Sequence, residues 1–167
     1  MPIHGSGLPQ VHPAGKPAHS PPDTRHQSIT VNHRLTVFIE QPPEFVRKLY
    51  PSAVWRMDPD ERAVYLTFDD GPIPEVTPWV LDLLDKYDIK ATFFMVGDNI
   101  RKHPDEFQMV VERGHRIGNH TFNHLRGFEY NFKDYLANAE KANEVMKTDL
   151  FRPPHGHMGW TQYMILK

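Results

Sequence analysis

The sequence predicts an α/β fold built on a largely parallel sheet or barrel. Short apolar, β-branched runs alternate along the chain with stretches of helical periodicity. Several of these runs end in a polar or Gly-Pro turn, and the 167 residues suffice for one domain with a buried core. Strands that alternate with helices form βαβ units, and such units place neighbouring strands parallel in one sheet.

The N-terminal segment, residues 1–34, is predicted to be a disordered tail. It is rich in Pro, His, Ser and Gly and has almost no large apolar residues to bury. Histidines recur about every seven residues, at His4, His12, His19, His26 and His33. A metal-binding tail is one interpretation, but coil gives these imidazoles no fixed geometry; a leader read from an upstream start codon is another.

The ordered part is predicted to begin at residue 35. The predicted strands cover residues 35–39, 63–68, 91–96, 116–119 and 150–152. The predicted helices start near residue 74, cover about 104–113 and about 131–147, and open again at residue 160. In the first of them, Val76, Val80, Leu84 and Tyr87 share one face, which we expect to be buried.

Two segments that follow predicted strands together suggest a metal site. One is TFDDGP at residues 67–72, with Asp69 and Asp70 side by side, and the other is HTFNH at residues 120–124. Two imidazoles and one carboxylate are the ligands of an open, catalytic metal site, and the second carboxylate is then free to act as a base. The carboxyl ends of parallel strands are also where ligands bind. Metal-assisted hydrolysis is therefore the first hypothesis.

Each segment alone also has an ordinary interpretation. An Asp-Asp-Gly-Pro sequence is typical of a turn, and two histidines in a loop are common on protein surfaces. Arg152, which precedes a Pro-Pro pair, suits a surface ion pair. A shared site is favoured because all three polar clusters end consecutive predicted strands, where one edge of the sheet would bring them together.

Composition excludes several classes of function. The formal net charge of -2, from 19 Lys and Arg against 21 Asp and Glu, argues against a nucleic-acid or anionic-membrane partner. The absence of Cys excludes disulfides, thiolate metal ligands and a Cys nucleophile. No apolar run approaches the length of a membrane span, and the N-terminus lacks the features of a signal peptide. Compartment and oligomeric state stay unassigned.

These segments resemble the motifs of polysaccharide deacetylases of the NodB-homology type, carbohydrate esterase family 4. The family's T-F-D-D-G-P motif is matched letter for letter at 67–72, and its H-[ST]-x-x-H motif is matched at 120–124. Its R-x-P-[aromatic]-G motif is matched at 152–156, with His155 where Tyr or Phe is usual. The resemblance covers about residues 35–167. It implies a catalytic domain folded as a distorted (β/α) barrel, of which these residues represent the N-terminal part.

The resemblance also implies a ligand set for one divalent metal ion. Asp70, His120 and His124 would hold the ion. Zinc is the default, with cobalt and nickel as alternatives, because two imidazoles and one carboxylate accept each of these ions.

Catalytic roles follow from the same resemblance. Asp69 would be the general base that acts on a metal-activated water, and Arg152 would orient Asp69 and keep it ionised. The turn at Pro154 and His155 would bind oxyanion and substrate, with the backbone N–H of His155 as a donor to the tetrahedral oxyanion.

The implied activity is removal of acetyl groups from N- or O-acetylated polysaccharide, such as peptidoglycan, chitin-type glycans or xylan. For N-acetyl groups this is hydrolysis of a carbon–nitrogen bond other than a peptide bond. Family members often act at the cell envelope or outside the cell. The family's Asp-Trp segment and its Leu-x-His segment, which supplies a general acid, do not occur in these residues. We therefore expect an incomplete barrel lacking its C-terminal strands and helices. The alternatives are an impaired remnant that binds metal or glycan without turnover, and a hydrolase of non-sugar amides.

Overall fold

A parallel three-stranded sheet forms the centre of the computed structural model, which describes residues 42–58 and 60–167. The strands are β1 (Thr67–Asp69), β2 (Thr92–Met95) and β3 (Arg116–Asn119), in the order β1-β2-β3. Both pairings are parallel, so the predicted α/β class is confirmed. The predicted tail at residues 1–34 and the predicted strand at 35–39 lie outside the described residues.

Helices separate and follow these strands, as the βαβ pattern predicted. They are α1 (Glu44–Leu49), α2 (Val76–Lys86), α3 (Gly97–Lys102), α4 (Pro104–Glu112), α5 (Phe132–Met146) and α6 (Trp160–Leu166). Short 3-10 turns cover Gly127–Glu129 and Pro154–Gly156. The side chain of Asn131 accepts a hydrogen bond from the Asp134 N–H and so caps the start of α5. Among the described residues, no helix is both long enough and apolar enough to cross a membrane.

The observed strands match their predicted ranges to different degrees. β3 has the predicted range, but β1 is shorter than predicted: residues 63–66 precede it and are exposed, Val64 by 88%. β1 pairs with β2 only from Thr67 opposite Thr92, because a strand needs a partner ladder and β2 begins there. The predicted strand at 150–152 is reduced to one parallel bridge between Asn119 and Phe151.

The core lies where β2 packs against the neighbouring helices. Met95 of β2, Leu81 of α2 and Val110 of α4 are completely buried. The prediction for the buried face of α2 was partly wrong, because Val76 and Tyr87 are exposed while Leu81 faces the core. Apolar residues lie on two sides of this helix, so periodicity alone did not fix which stripe is buried.

Candidate metal centre

The carboxyl ends of the strands bring the predicted site segments to one edge of the sheet. Asp70 follows β1, and its N–H donates to the Phe94 carbonyl of β2 at 3.1 Å. His120 follows β3, and its N–H donates to the Met95 carbonyl at 3.0 Å. The Arg152 N–H donates to the Asn119 carbonyl at 3.0 Å. These hydrogen bonds continue the parallel ladder past the strands and fix the three segments relative to one another.

Three of the predicted residues form a cluster that could hold a metal ion. One side-chain ligand atom from each of Asp70, His120 and His124 lies within 4.8 Å of the others. Asp70 Oδ1 is 2.9 Å from His124 Nε2 and 3.5 Å from His120 Nε2. Two imidazoles and one carboxylate at this spacing fit a catalytic metal ion with open coordination positions.

His120 is held in the form that binds metals. Its Nδ1 lies 2.7 Å from the Arg152 carbonyl oxygen, an acceptor that requires the proton to be on Nδ1. Nε2 then carries the lone pair and faces Asp70. The side chain is only 3% exposed, and burial lowers the pKa of His120 below its ordinary value. The hydrogen bond to the Arg152 carbonyl and the nearby carboxylates partly offset this effect. A neutral imidazole with a fixed tautomer is the ligand form of histidine.

Asp69 faces a different partner from its neighbour. Arg152 Nη1 donates to Asp69 Oδ1 at 2.6 Å and to Thr67 Oγ1 at 3.0 Å. The guanidinium carbon of Arg152 lies 3.9 Å from the centre of the Phe94 ring, in a cation–π contact. Asp69 and Arg152 are both partly exposed, so the carboxylate is anchored while it remains accessible to water.

The turn at Pro154 and His155 lies beside the cluster formed by Asp70, His120 and His124. Pro154 is buried, whereas the His155 ring is exposed and stands edge-on to His124 with 4.7 Å between ring centroids. The predicted oxyanion and substrate segment is thus next to the proposed metal ligands.

Left-handed backbone conformations are concentrated in this site. Asp70 has φ 71°, Thr121 φ 64°, His124 φ 55° and His155 φ 57°. For residues other than glycine such conformations cost about 1–3 kcal/mol each, and they persist only where surrounding contacts enforce them. Three of these four residues are ones that the sequence assigned to the site.

A cleft of about 300 Å³ opens beside Asp70 and His124. Its other lining residues are Val96, Asp98, Asn99 and Asn123. The Asn99 side-chain amide donates to the Asp70 backbone carbonyl at 2.7 Å. Neither Asn99 nor Asn123 was predicted from the sequence. No motif includes Asn99, and the H-[ST]-x-x-H motif accepts any residue at position 123. The only available signal was that Asn99 lies shortly after a predicted strand whose neighbours carry the site.

Comparison with known proteins identifies relatives of this chain. The family model described as polysaccharide deacetylase matches residues 56–165. A peptidoglycan-N-acetylglucosamine deacetylase of Bacillus cereus is 40% identical over 109 residues, which cover 62% of this chain and 51% of that protein. A chitooligosaccharide deacetylase of Rhizobium leguminosarum bv. trifolii is 46% identical over 65 residues, covering 39% of this chain and 30% of that protein.

Solved structures give the same result for the fold. The structure of the peptidoglycan deacetylase PdaC from Bacillus subtilis superposes with a TM-score of 0.62 at 30% identity, covering 66% of this chain and 58% of that one. The chain spans about half the length, or less, of the curated relatives it matches. The described α/β sheet and helices correspond to part of the distorted barrel that the motifs predicted. By its matched residues and its fold, the chain belongs to the polysaccharide deacetylase family.

Proposed function

We propose that the protein removes acetyl groups from N- or O-acetylated polysaccharide, using a divalent metal ion held by Asp70, His120 and His124. The observation that carries this proposal is the division of labour between two adjacent carboxylates. Asp70 Oδ1 lies 2.9 Å from His124 Nε2, whereas Asp69 Oδ1 lies 2.6 Å from Arg152. One carboxylate is thereby available as a metal ligand and the other as a base, which is what hydrolysis of an unreactive amide requires.

The chain's own groups then take the following roles. Asp69 accepts a proton from the attacking water, and Arg152 holds the Asp69 carboxylate in place for that transfer. The backbone N–H of His155 donates to the oxyanion that develops as water adds to the acetyl carbonyl, a contribution worth about 2.7–4 kcal/mol in comparable sites. When bound, the metal ion would polarise the carbonyl and lower the pKa of water.

The names of similar proteins support the proposed class of substrate. Relatives named as deacetylases of peptidoglycan and of chitooligosaccharide support an N-acetylated amino sugar as the substrate. We propose zinc as the ion, with cobalt and nickel as alternatives, and action on glycans of the cell envelope or outside the cell.

A matched pair of isosteric variants tests this proposal. The full chain is loaded with Zn²⁺, its bound metal is measured, and acetate release is followed from peptidoglycan and from N-acetylglucosamine oligomers. Asp70→Asn should lose bound zinc because it removes the charged ligand. Asp69→Asn should keep bound zinc and lose acetate release by about 10²–10⁴-fold, as expected when a general base is removed.

The outcomes separate the alternatives. Undiminished zinc in Asp70→Asn would remove the proposed site, and undiminished acetate release in Asp69→Asn would remove the proposed base. Zinc binding by wild-type protein without acetate release would favour the alternative role, in which the chain binds metal or glycan without turnover. Release of acetate from simple acetamides, but from no glycan tested, would favour the hydrolase of non-sugar amides.

A further inference from the structure

We propose that Asn138 of α5 is a positioning residue for the loop that carries both proposed histidine ligands. This inference rests on the proposed function, because it concerns how His120 and His124 are held for a metal ion. Asn138 belongs to none of the three motif segments and lies on a helix 14 residues beyond the loop's last ligand in the sequence. Its side chain nevertheless reaches the middle of the loop.

Three hydrogen bonds join the Asn138 amide to the two residues that precede His124. Asn138 Oδ1 accepts from the Phe122 N–H at 2.8 Å and from the Asn123 N–H at 3.0 Å. Asn138 Nδ2 donates to Asn123 Oδ1 at 2.9 Å. The Asn138 side chain therefore satisfies two consecutive backbone donors. It also orients the side chain of Asn123, which directly precedes His124.

The loop needs such a contact because its backbone is held away from ordinary conformations. Thr121 and His124 are both left-handed, with φ 64° and φ 55°, and they flank the two residues that Asn138 binds. Left-handed conformations of residues other than glycine require support from their surroundings. From the other side, the Thr121 and Phe122 carbonyls accept from the backbone of α3. Asn138 supplies the opposing contact from α5, and the loop is held between the two helices.

The contact acts on the metal ligands through the backbone. His124 directly follows Asn123, and its Nε2 stands 2.9 Å from Asp70 Oδ1. Any shift of residues 122 and 123 displaces the His124 ring relative to Asp70. Metal ligands held at fixed positions bind more tightly than ligands that must be ordered on binding, and contacts behind the ligands supply that order.

Two variants at position 138 and one control test this role. Asn138→Ala removes all three hydrogen bonds while placing a better helix former in α5. Asn138→Asp keeps the acceptor for both N–H groups, and the Asn123 amide can rotate to donate to the new carboxylate. Asn143→Ala is the matched control. Asn143 lies on the same helix, but its Oδ1 accepts from the N–H of Thr148, which follows the C-terminal end of α5.

The experiment combines two readouts on the full chain. Amide hydrogen exchange at Phe122 and Asn123 is measured in metal-free protein, and Zn²⁺ affinity is measured by competition with a chelator. In Asn138→Ala we expect faster exchange at both amides and zinc affinity reduced at least tenfold. Asn138→Asp should retain slow exchange and zinc affinity within about threefold of wild type, and Asn143→Ala should resemble wild type in both measurements.

Each other outcome overturns a defined part of the inference. Unchanged exchange in Asn138→Ala would show that Asn138 does not hold the loop. Faster exchange with unchanged zinc affinity would show that the loop is held but that the ligands do not depend on it. Wild-type protein that binds no zinc would overturn the proposed metal site and the role of Asn138 toward it. The exchange rates would still report separately whether Asn138 holds the loop.

Discussion

Arg152 donates a 2.6 Å hydrogen bond to Asp69, a residue 83 positions away in the sequence. Arg152 also supports the cluster of candidate metal ligands, because its backbone carbonyl accepts from His120 Nδ1 at 2.7 Å. The side chain of Arg152 therefore serves the proposed base, while its main chain serves a proposed metal ligand. A side-chain substitution can separate these two roles.

Arg152→Met should lower acetate release by about 10²-fold and leave zinc affinity within about twofold of wild type. Methionine cannot donate the hydrogen bond that holds the Asp69 carboxylate. Losing it should cost part of the roughly 10²–10⁴-fold rate contribution that is typical of a general base. The backbone carbonyl that supports His120 remains. Steady-state acetate release and chelator competition measure the two effects. Arg116→Met is the control, because Arg116 pairs with Asp149 at the opposite end of β3. Equal losses of zinc and activity in Arg152→Met would contradict the separation.

Asn99→Ala should weaken zinc binding by about fivefold. The Asn99 amide donates to the Asp70 carbonyl at 2.7 Å and so supports the left-handed conformation of that residue. A hydrogen bond of this kind contributes about 1 kcal/mol, which corresponds to the stated fold-change. Asn99→Asp should bind zinc no better than Asn99→Ala, because a carboxylate cannot donate to the carbonyl. Zinc affinity equal to wild type in both variants would exclude this support.

The main features of the site could be predicted from the sequence for a physical reason. Asp69 is the last residue of β1, and Asp70 and His120 directly follow β1 and β3. Parallel strands bring their carboxyl ends to one edge whatever their separation along the chain. The range of β3 was predicted because Gly114 ends the preceding helix and His120 begins the next polar segment. Arg152 was expected at the same edge because it ends the predicted strand at 150–152, and the motif resemblance then implied its role toward Asp69. In the described residues that strand is a single bridge between Asn119 and Phe151.

The supporting residues could not be predicted in the same way. Asn99 and Asn138 act through hydrogen bonds to backbone groups, which leave no periodic or motif signal. An asparagine on a helix surface looks the same in sequence whether it faces water or a loop. The buried face of α2 was misjudged for a related reason: which apolar stripe faces the core depends on where β2 lies, and that is a tertiary contact.

His115 should make the protein less stable in acid. It is buried immediately before β3, where its Nδ1 accepts from the Ala91 N–H at 3.3 Å and its Nε2 has no partner within the described part of the chain. Burial lowers the pKa of His115, the charges of Lys90 and Arg113 act in the same direction, and Asp85 opposes them. The folded state therefore binds a proton on the His115 imidazole less readily than the unfolded state does.

The sign follows from this difference in proton uptake. As pH falls below about 6.5, the unfolded chain gains a proton on His115 that the folded chain does not, so stability decreases by up to about 1.4 kcal/mol per pH unit. His115→Asn keeps an acceptor for Ala91 and cannot be protonated in this range. Urea unfolding at pH 7.5 and 5.5 should show a smaller loss in the variant than in wild type. Equal losses of stability in the two proteins would exclude His115 as the cause of the acid sensitivity.

Gly97→Ala should destabilise the fold by about 1–3 kcal/mol and loosen the site, because the position has no room for a side chain. An added Cβ would lie 2.5 Å from Phe122 Cδ2 and 3.2 Å from Ala142 Cα, and the latter is backbone that cannot move independently of α5. The Gly97 N–H also donates to the Thr121 carbonyl, so a shift at this position reaches the loop that carries His120 and His124. Gly71→Ala is the control, since its Cβ would meet nothing closer than 3.8 Å. Urea unfolding should show a lower midpoint for Gly97→Ala than for Gly71→Ala, whereas matching midpoints would mean that α3 and α5 can separate at little cost.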